Sequence, residues 1–192
     1  MNWGLDNNFN NLRLNYLQLA KLGAIMLIAV MVGLLVPSLF SADTAEYVQK
    51  ISDHLLSCLT GKAEFVYSGF VKNLLLYGSI LLLLWLIGFG GIAVLPAIAI
   101  MLSYGILLGI GINIVFSLGF GYGVLLFVLN MLPANLLIAV ALILAVNHIM
   151  TGSGSFSDYT AGFAVSLILL VIACWYFSFA GPFLLNLFIK LI

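Results

Sequence analysis

Charge is what this sequence has least of. Six acidic and six basic side chains in 192 residues make the chain 6% charged and leave no net charge, where a soluble globular domain carries about 25% charged residues. From Asn73 to Ser157 there is no Asp, Glu, Lys or Arg at all. Intramembrane ionisable groups mark proton relays and ion paths, so their absence speaks against a proton-coupled transporter and against carboxylate catalysis. The lack of any basic patch speaks against a nucleic-acid partner. Cysteine is nearly as scarce: Cys58 lies in a polar connecting segment and Cys174 in a hydrophobic run. That placement disfavours a disulfide, and no CxxC or Cys/His spacing exists for a metal, so neither metal nor other cofactor is expected. The first apolar run starts near Leu17, is span-length, and lacks a clear small-x-small cleavage site, so a cleaved signal peptide is not expected.

What remains is hydrophobic: 65% of residues, with 19 glycines and four prolines. A membrane-spanning helix needs about 20 apolar residues, so the charge-free stretch alone holds several. Lipid offers the backbone no hydrogen bonds, which restricts spans to helices or closed barrels. Runs such as Leu81-Leu82-Leu83-Leu84-Trp85-Leu86 do not alternate as barrel strands do. The reading is an all-α polytopic bundle of about five spans forming a single membrane domain over residues 1–192. Expected spans run from about Leu17 to Phe40, Phe70 to Ile92, Pro96 to Leu118, Tyr122 to Met150 and Ala161 to Phe188. Gly88, Gly90 and Gly91 loosen the end of the second, and Gly119 to Gly123 read as a turn. Pro133 removes a helix hydrogen bond, so the fourth span is expected to be broken there into a short half-helix and a longer one. Gly181-Pro182 should bend the fifth near its end.

Half of the twelve charged residues gather in residues 41–69, between spans one and two. Asp43 and Glu46 have capping-box spacing. Tyr47, Ile51, Leu55 and Leu59 recur at helical intervals, opposite Glu46, Gln49, Lys50 and Asp53. This predicts an amphipathic interfacial helix. Glu46, Lys50 and Asp53 are candidates for partner contact if the segment faces proteins, and a solvated face if it lies on lipid. Basic residues are distributed so evenly that the positive-inside count only slightly favours a cytoplasmic 41–69 segment.

Other candidates each carry a plain structural alternative. Ala97, Met101, Gly105, Gly109 and Asn113 recur every four residues. The Gly105–Gly109 pair permits close helix approach, either in a homo-oligomeric seam or inside the monomer. Asn113, Asn130 and Asn135 either line a polar cavity at the broken helix or make inter-helix hydrogen bonds. Asn135 is also placed to satisfy backbone groups freed by Pro133. His148 reads as a base or as a cap at a helix end. Ser153 and Ser155 sit in a Gly/Ser loop without the constellation a nucleophilic serine needs. Trp3, Trp85 and Trp175 read as interface anchors or packing.

Several features follow one another in order: the first span and polar amphipathic segment, Phe70-Val71-Lys72-Asn73, Trp85-Leu86-Ile87-Gly88, Leu95-Pro96, the Gly105 to Gly111 stretch, and Met131-Leu132-Pro133-Ala134-Asn135-Leu136-Leu137. As a series they resemble the stage II sporulation protein M family of bacterial membrane proteins. The resemblance covers about Leu22 to Ile189. Broader members often carry Pro-His-Gly and a nearby Glu at the proline. Here Ala134 and Asn135 follow it, as in the sporulation branch. The loop before the last span, often basic in the family, carries only Asp158 here. The resemblance implies a multi-pass protein of the bacterial cell membrane with a cytoplasmic N-terminus and the 41–69 segment outside. It implies a non-enzymatic scaffold of septal peptidoglycan remodelling during engulfment. Its partners would be wall-degrading enzymes, the stage II sporulation proteins D and P. Phe70 and Asn73 match family positions at the start of span two. Two rivals stand beside this reading. One is a permease or channel subunit for a small neutral or lipid-like solute. The other is an intramembrane hydrolase using Ser153 or Ser155 with His148.

Overall fold

A computed structural model describes residues 16–39, 66–88, 93–117, 120–151 and 156–191. Every described element is a helix. In chain order they are α1 (Tyr16–Leu39), α2 (Val66–Ile87), α3 (Val94–Ser117), α4 (Phe120–Leu126), α5 (Leu132–Thr151), α6 (Phe156–Trp175) and α7 (Gly181–Leu191). Five of the resulting helical stretches are long and apolar enough to cross a membrane. The predicted amphipathic helix, with Glu46, Lys50 and Asp53, and the Ser153/Ser155 loop lie outside the described residues.

The fourth and fifth spans are compound. A π-helical turn over Phe127–Met131 joins α4 to α5, and a second over Tyr176–Ala180 joins α6 to α7. In each turn bonding shifts to the residue five positions back: Leu132 N–H donates to the Phe127 carbonyl, and Gly181 N–H to the Tyr176 carbonyl. Each turn ends two residues before a proline, Pro133 or Pro182. The expected short and long halves of span four are therefore α4 and α5, but no irregular backbone separates them. Hydrocarbon penalises every unpaired peptide group, and a π turn absorbs the proline while keeping most of them bonded.

The expected turn at Gly119–Gly123 is shorter than the sequence suggested, because helix has resumed by Phe120. Gly123 explains why. A Cβ there would sit 2.6 Å from the Val115 carbonyl oxygen and 3.1 Å from Phe116 Cα. Only glycine lets α4 start this close to the end of α3.

Spans one and three form the closest pair, and their contacts run in the same direction along both helices, so they are parallel. Gly105 faces Ala29 and the Met26 carbonyl, Gly109 faces Val30 and Gly33, and the Asn113 amide donates to the Leu34 carbonyl at 3.0 Å. The row from Ala97 to Asn113 thus packs within one chain. Ala97 and Met101 are fully buried in the core, and Gly105, Gly109 and Asn113 abut α1. Spans four and five form an antiparallel hairpin, and α2 runs antiparallel to α6. Ring contacts of Trp85 with Phe156 at one end and Phe70 with Phe179 at the other tie α2 to the fifth span. The core between these units includes Leu84, Leu142, Val146, Leu170 and Cys174, whose thiol is free. The outward faces, for example Leu27, Ile28 and Met31 of α1, are apolar and exposed, as a lipid-facing surface requires.

Candidate functional site: a polar-floored cleft at mid-membrane

α2 touches α3 only lightly, and the gap between them is a cleft of about 470 Å³. Its sides are apolar, with Leu76, Ile80, Ile100 and Leu107 among them, and Met131 and Phe177 from the two π turns also line it. The floor is polar. The Tyr104 hydroxyl donates to Asn135 Oδ1 at 2.9 Å, and Asn135 Nδ2 donates to the Met131 carbonyl at 2.8 Å. Tyr77 meets Tyr104 edge-on, with ring centroids 6.1 Å apart. Ser103 also lines the cleft, but its hydroxyl is committed to the Ala99 carbonyl at 2.9 Å.

Depth gives this floor its meaning. Tyr77 lies halfway along α2, Tyr104 near the middle of α3, and Asn135 halfway along the compound fourth span. At 1.5 Å per residue the two tyrosines sit about 15 Å from the nearer helix end, and Asn135 about 22 Å. Tyrosine ordinarily collects at the membrane interface, where its hydroxyl stays wet. Two tyrosines at mid-span are the signal in the sequence that would have pointed here, and only Asn135 of the floor was singled out from it.

The second polar knot joins the two π turns. In an unbroken α-helix the Leu129 carbonyl would bond the N–H of residue 133, which proline lacks. The Tyr176 hydroxyl donates to that carbonyl instead, at 2.8 Å. Gly181 packs directly on Asn130, leaving no room for a Cβ. Asn130 Oδ1 and Ser178 Oγ are buried here without a hydrogen-bond partner. The relief of Pro133 expected of Asn135 therefore comes from Tyr176 on the neighbouring span. Asn113, Asn130 and Asn135 do not converge: one binds α1, one lies at the π joint, and one floors the cleft.

At the far end of spans two, four and five, His148 stacks on Tyr159, with centroids 5.4 Å apart and planes 28° apart, and meets Phe163 edge-on. Its Nε2 and the neighbouring Asn147 Oδ1 are buried and unpartnered. The histidine is thus packed among rings, not simply capping a helix end. Tyr159 donates to the Trp85 carbonyl at 2.8 Å, and its phenol occupies the space that a side chain at position 88 would need. Gly88→Ala should displace the phenol and lower stability by about 1–2 kcal/mol. Thermal unfolding in detergent checks this. Combined with Tyr159→Phe, the two losses should not add.

Phe70 is half-buried and rests on Phe179, and Asn73 follows it one turn below on α2. Among the described residues no group of three His, Cys, Asp or Glu side chains is placed to hold a metal. No family model, curated protein or solved structure matches this chain.

Proposed function

We propose that the chain is a non-enzymatic membrane platform that holds single-pass wall hydrolases at a bacterial septum, in line with its resemblance to the sporulation M family. The observation that carries this reading is where the intramembrane polar groups are directed. Asn113, Tyr104, Tyr159 and Tyr176 each bond another span of the same chain. Such bonds stabilise membrane helices against one another by about 0.6–1.7 kcal/mol each. They favour a fixed bundle over a relay, and the outward helix faces remain apolar ridges for span–span contact. On this reading the partners perform hydrolysis, and this chain contributes position. The partners' anchors lie against the ridges, and the 41–69 segment reaches their external domains.

The test is capture of the tagged, full-length chain from membranes of its host during septum formation. Peptidoglycan-degrading enzymes should co-purify. Joint charge reversal, Glu46→Lys with Lys50→Glu, should weaken that capture several-fold while membrane insertion is unchanged. Wild-type capture by the reversed chain would remove the role given to the segment. Recovery of a cytoplasmic ATPase without wall enzymes would overturn the platform reading.

A further inference from the structure

We infer that the mid-membrane cleft between α2 and α3 binds one uncharged, hydroxyl-bearing lipid chain drawn from the bilayer. Three observations lead there. The first is size. The cleft's volume of about 470 Å³ falls within the range of about 300–1,000 Å³ found for small-ligand sites.

The second is depth. Tyr77, Tyr104 and Asn135 lie near the centre of their spans, about 15 Å from the interface where phospholipid headgroups reside. The occupant must bring its own polar atom into the hydrocarbon layer, which a charged headgroup does only at great cost.

The third is chemistry. The lining has no cation, and phosphate headgroups are recognised by Lys or Arg. The floor offers neutral partners. The Tyr104 hydroxyl donates its hydrogen bond to Asn135 and its oxygen retains lone pairs, while Tyr77 is a second phenol of the lining. Phenols that can both accept and donate match an alcohol, and the apolar sides match its chain. This inference stands apart from the platform reading, since it concerns what the bilayer supplies. Hydrolase capture can fail without affecting it.

The experiment reconstitutes the full chain in phosphatidylglycerol vesicles with a long-chain alcohol bearing a diazirine beside its hydroxyl. The vesicles are irradiated and the labelled peptides mapped. Labelling should concentrate on Ser103–Leu108 and Met131–Asn135. The unlabelled alcohol should displace it at least tenfold better than the alkane of equal length. Tyr77→Phe should reduce labelling several-fold. That variant leaves the Tyr104–Asn135 bond in place, so a folding defect is not the expected cause, and the competition arm needs no variant at all. Gly78→Ala, with open space around position 78, should label as wild type. Four outcomes would overturn the inference: label spread evenly over the exposed faces of α1 and α6, equal competition by the alkane, equal labelling by a phosphatidylglycerol probe, or full labelling of Tyr77→Phe. A photoreactive residue at Ser103 that captures a polypeptide and not the alcohol would also overturn it.

Discussion

Replacing Gly109 with alanine is expected to destabilise the bundle by about 2–3 kcal/mol, and replacing it with leucine to abolish the folded state. The new Cβ would lie 2.8 Å from both Gly33 Cα and Leu34 N, with the Val30 carbonyl closer still. All three are backbone atoms, so no side-chain rotamer can yield and α1 itself must move outward. That movement also stretches the Asn113–Leu34 hydrogen bond one turn away. Gly33 stands in the reciprocal position, facing the Ile106 carbonyl and Gly109 Cα, and Gly33→Ala should behave alike. Gly23 and Gly78 are the controls, since nothing lies within 4 Å of a Cβ at either. Alanine there should be neutral or better by about 0.5–1 kcal/mol, because glycine weakens a helix interior. Thermal unfolding in detergent, followed by loss of the monodisperse size-exclusion peak, reads all five variants. Equal midpoints for Gly109→Ala and Gly23→Ala would contradict the packing described for spans one and three.

Tyr176→Phe is expected to cost about 1–2 kcal/mol, and Pro133→Ala is expected to remove most of that cost. The argument is one of backbone satisfaction. Pro133 leaves the Leu129 carbonyl without its α-helical donor, and the Tyr176 hydroxyl takes that place across the span interface. Removing the hydroxyl strands a carbonyl in an apolar interior, where an unmet group is penalised more than a bond is rewarded. Alanine at 133 restores an N–H on the same helix, and the phenol then becomes redundant. The two substitutions should couple in a double-mutant cycle by about 1 kcal/mol. A coupling of zero, with each single variant destabilised, would mean that the tyrosine supports the joint by packing alone.

Composition revealed the spans because lipid makes the rule simple. Each crossing must be a long apolar helix, and the chain has few charges with which to blur the ends. The boundaries moved by a few residues where glycine misled. Gly119 to Gly123 looks like a turn in any helix scale, yet Gly123 is helical because α4 needs a bare Cα beside Val115. Pro133 was correctly read as an interruption of the α pattern. Its form was not legible, since a π turn depends on whether a neighbouring span can serve the freed carbonyl. Tyr176 is more than 40 positions away in sequence, and no local pattern links it to Leu129. The Gly105–Gly109 pair announced close approach but not its partner, because periodicity gives the face of a helix and not what it meets. Gly33 of α1 supplies the answer. The cleft floor was half visible. Asn135 stood out as a mid-span amide, while Tyr77 and Tyr104 looked like two aromatics among many.

The π turn at Phe127–Met131 also sets a phase. It is an α-helix carrying one residue more than its turns require. Five residues close a turn that four would close in an α-helix, so the wheel phase of α5 lags that of α4 by about one residue, or about 100°. Gly123, which faces Val115, and Asn135, which faces Tyr104, therefore belong to two separate wheels. The span presents two faces that are not in one continuous register. A helical wheel drawn through residues 120–151 as one regular helix would superimpose those faces and miss both.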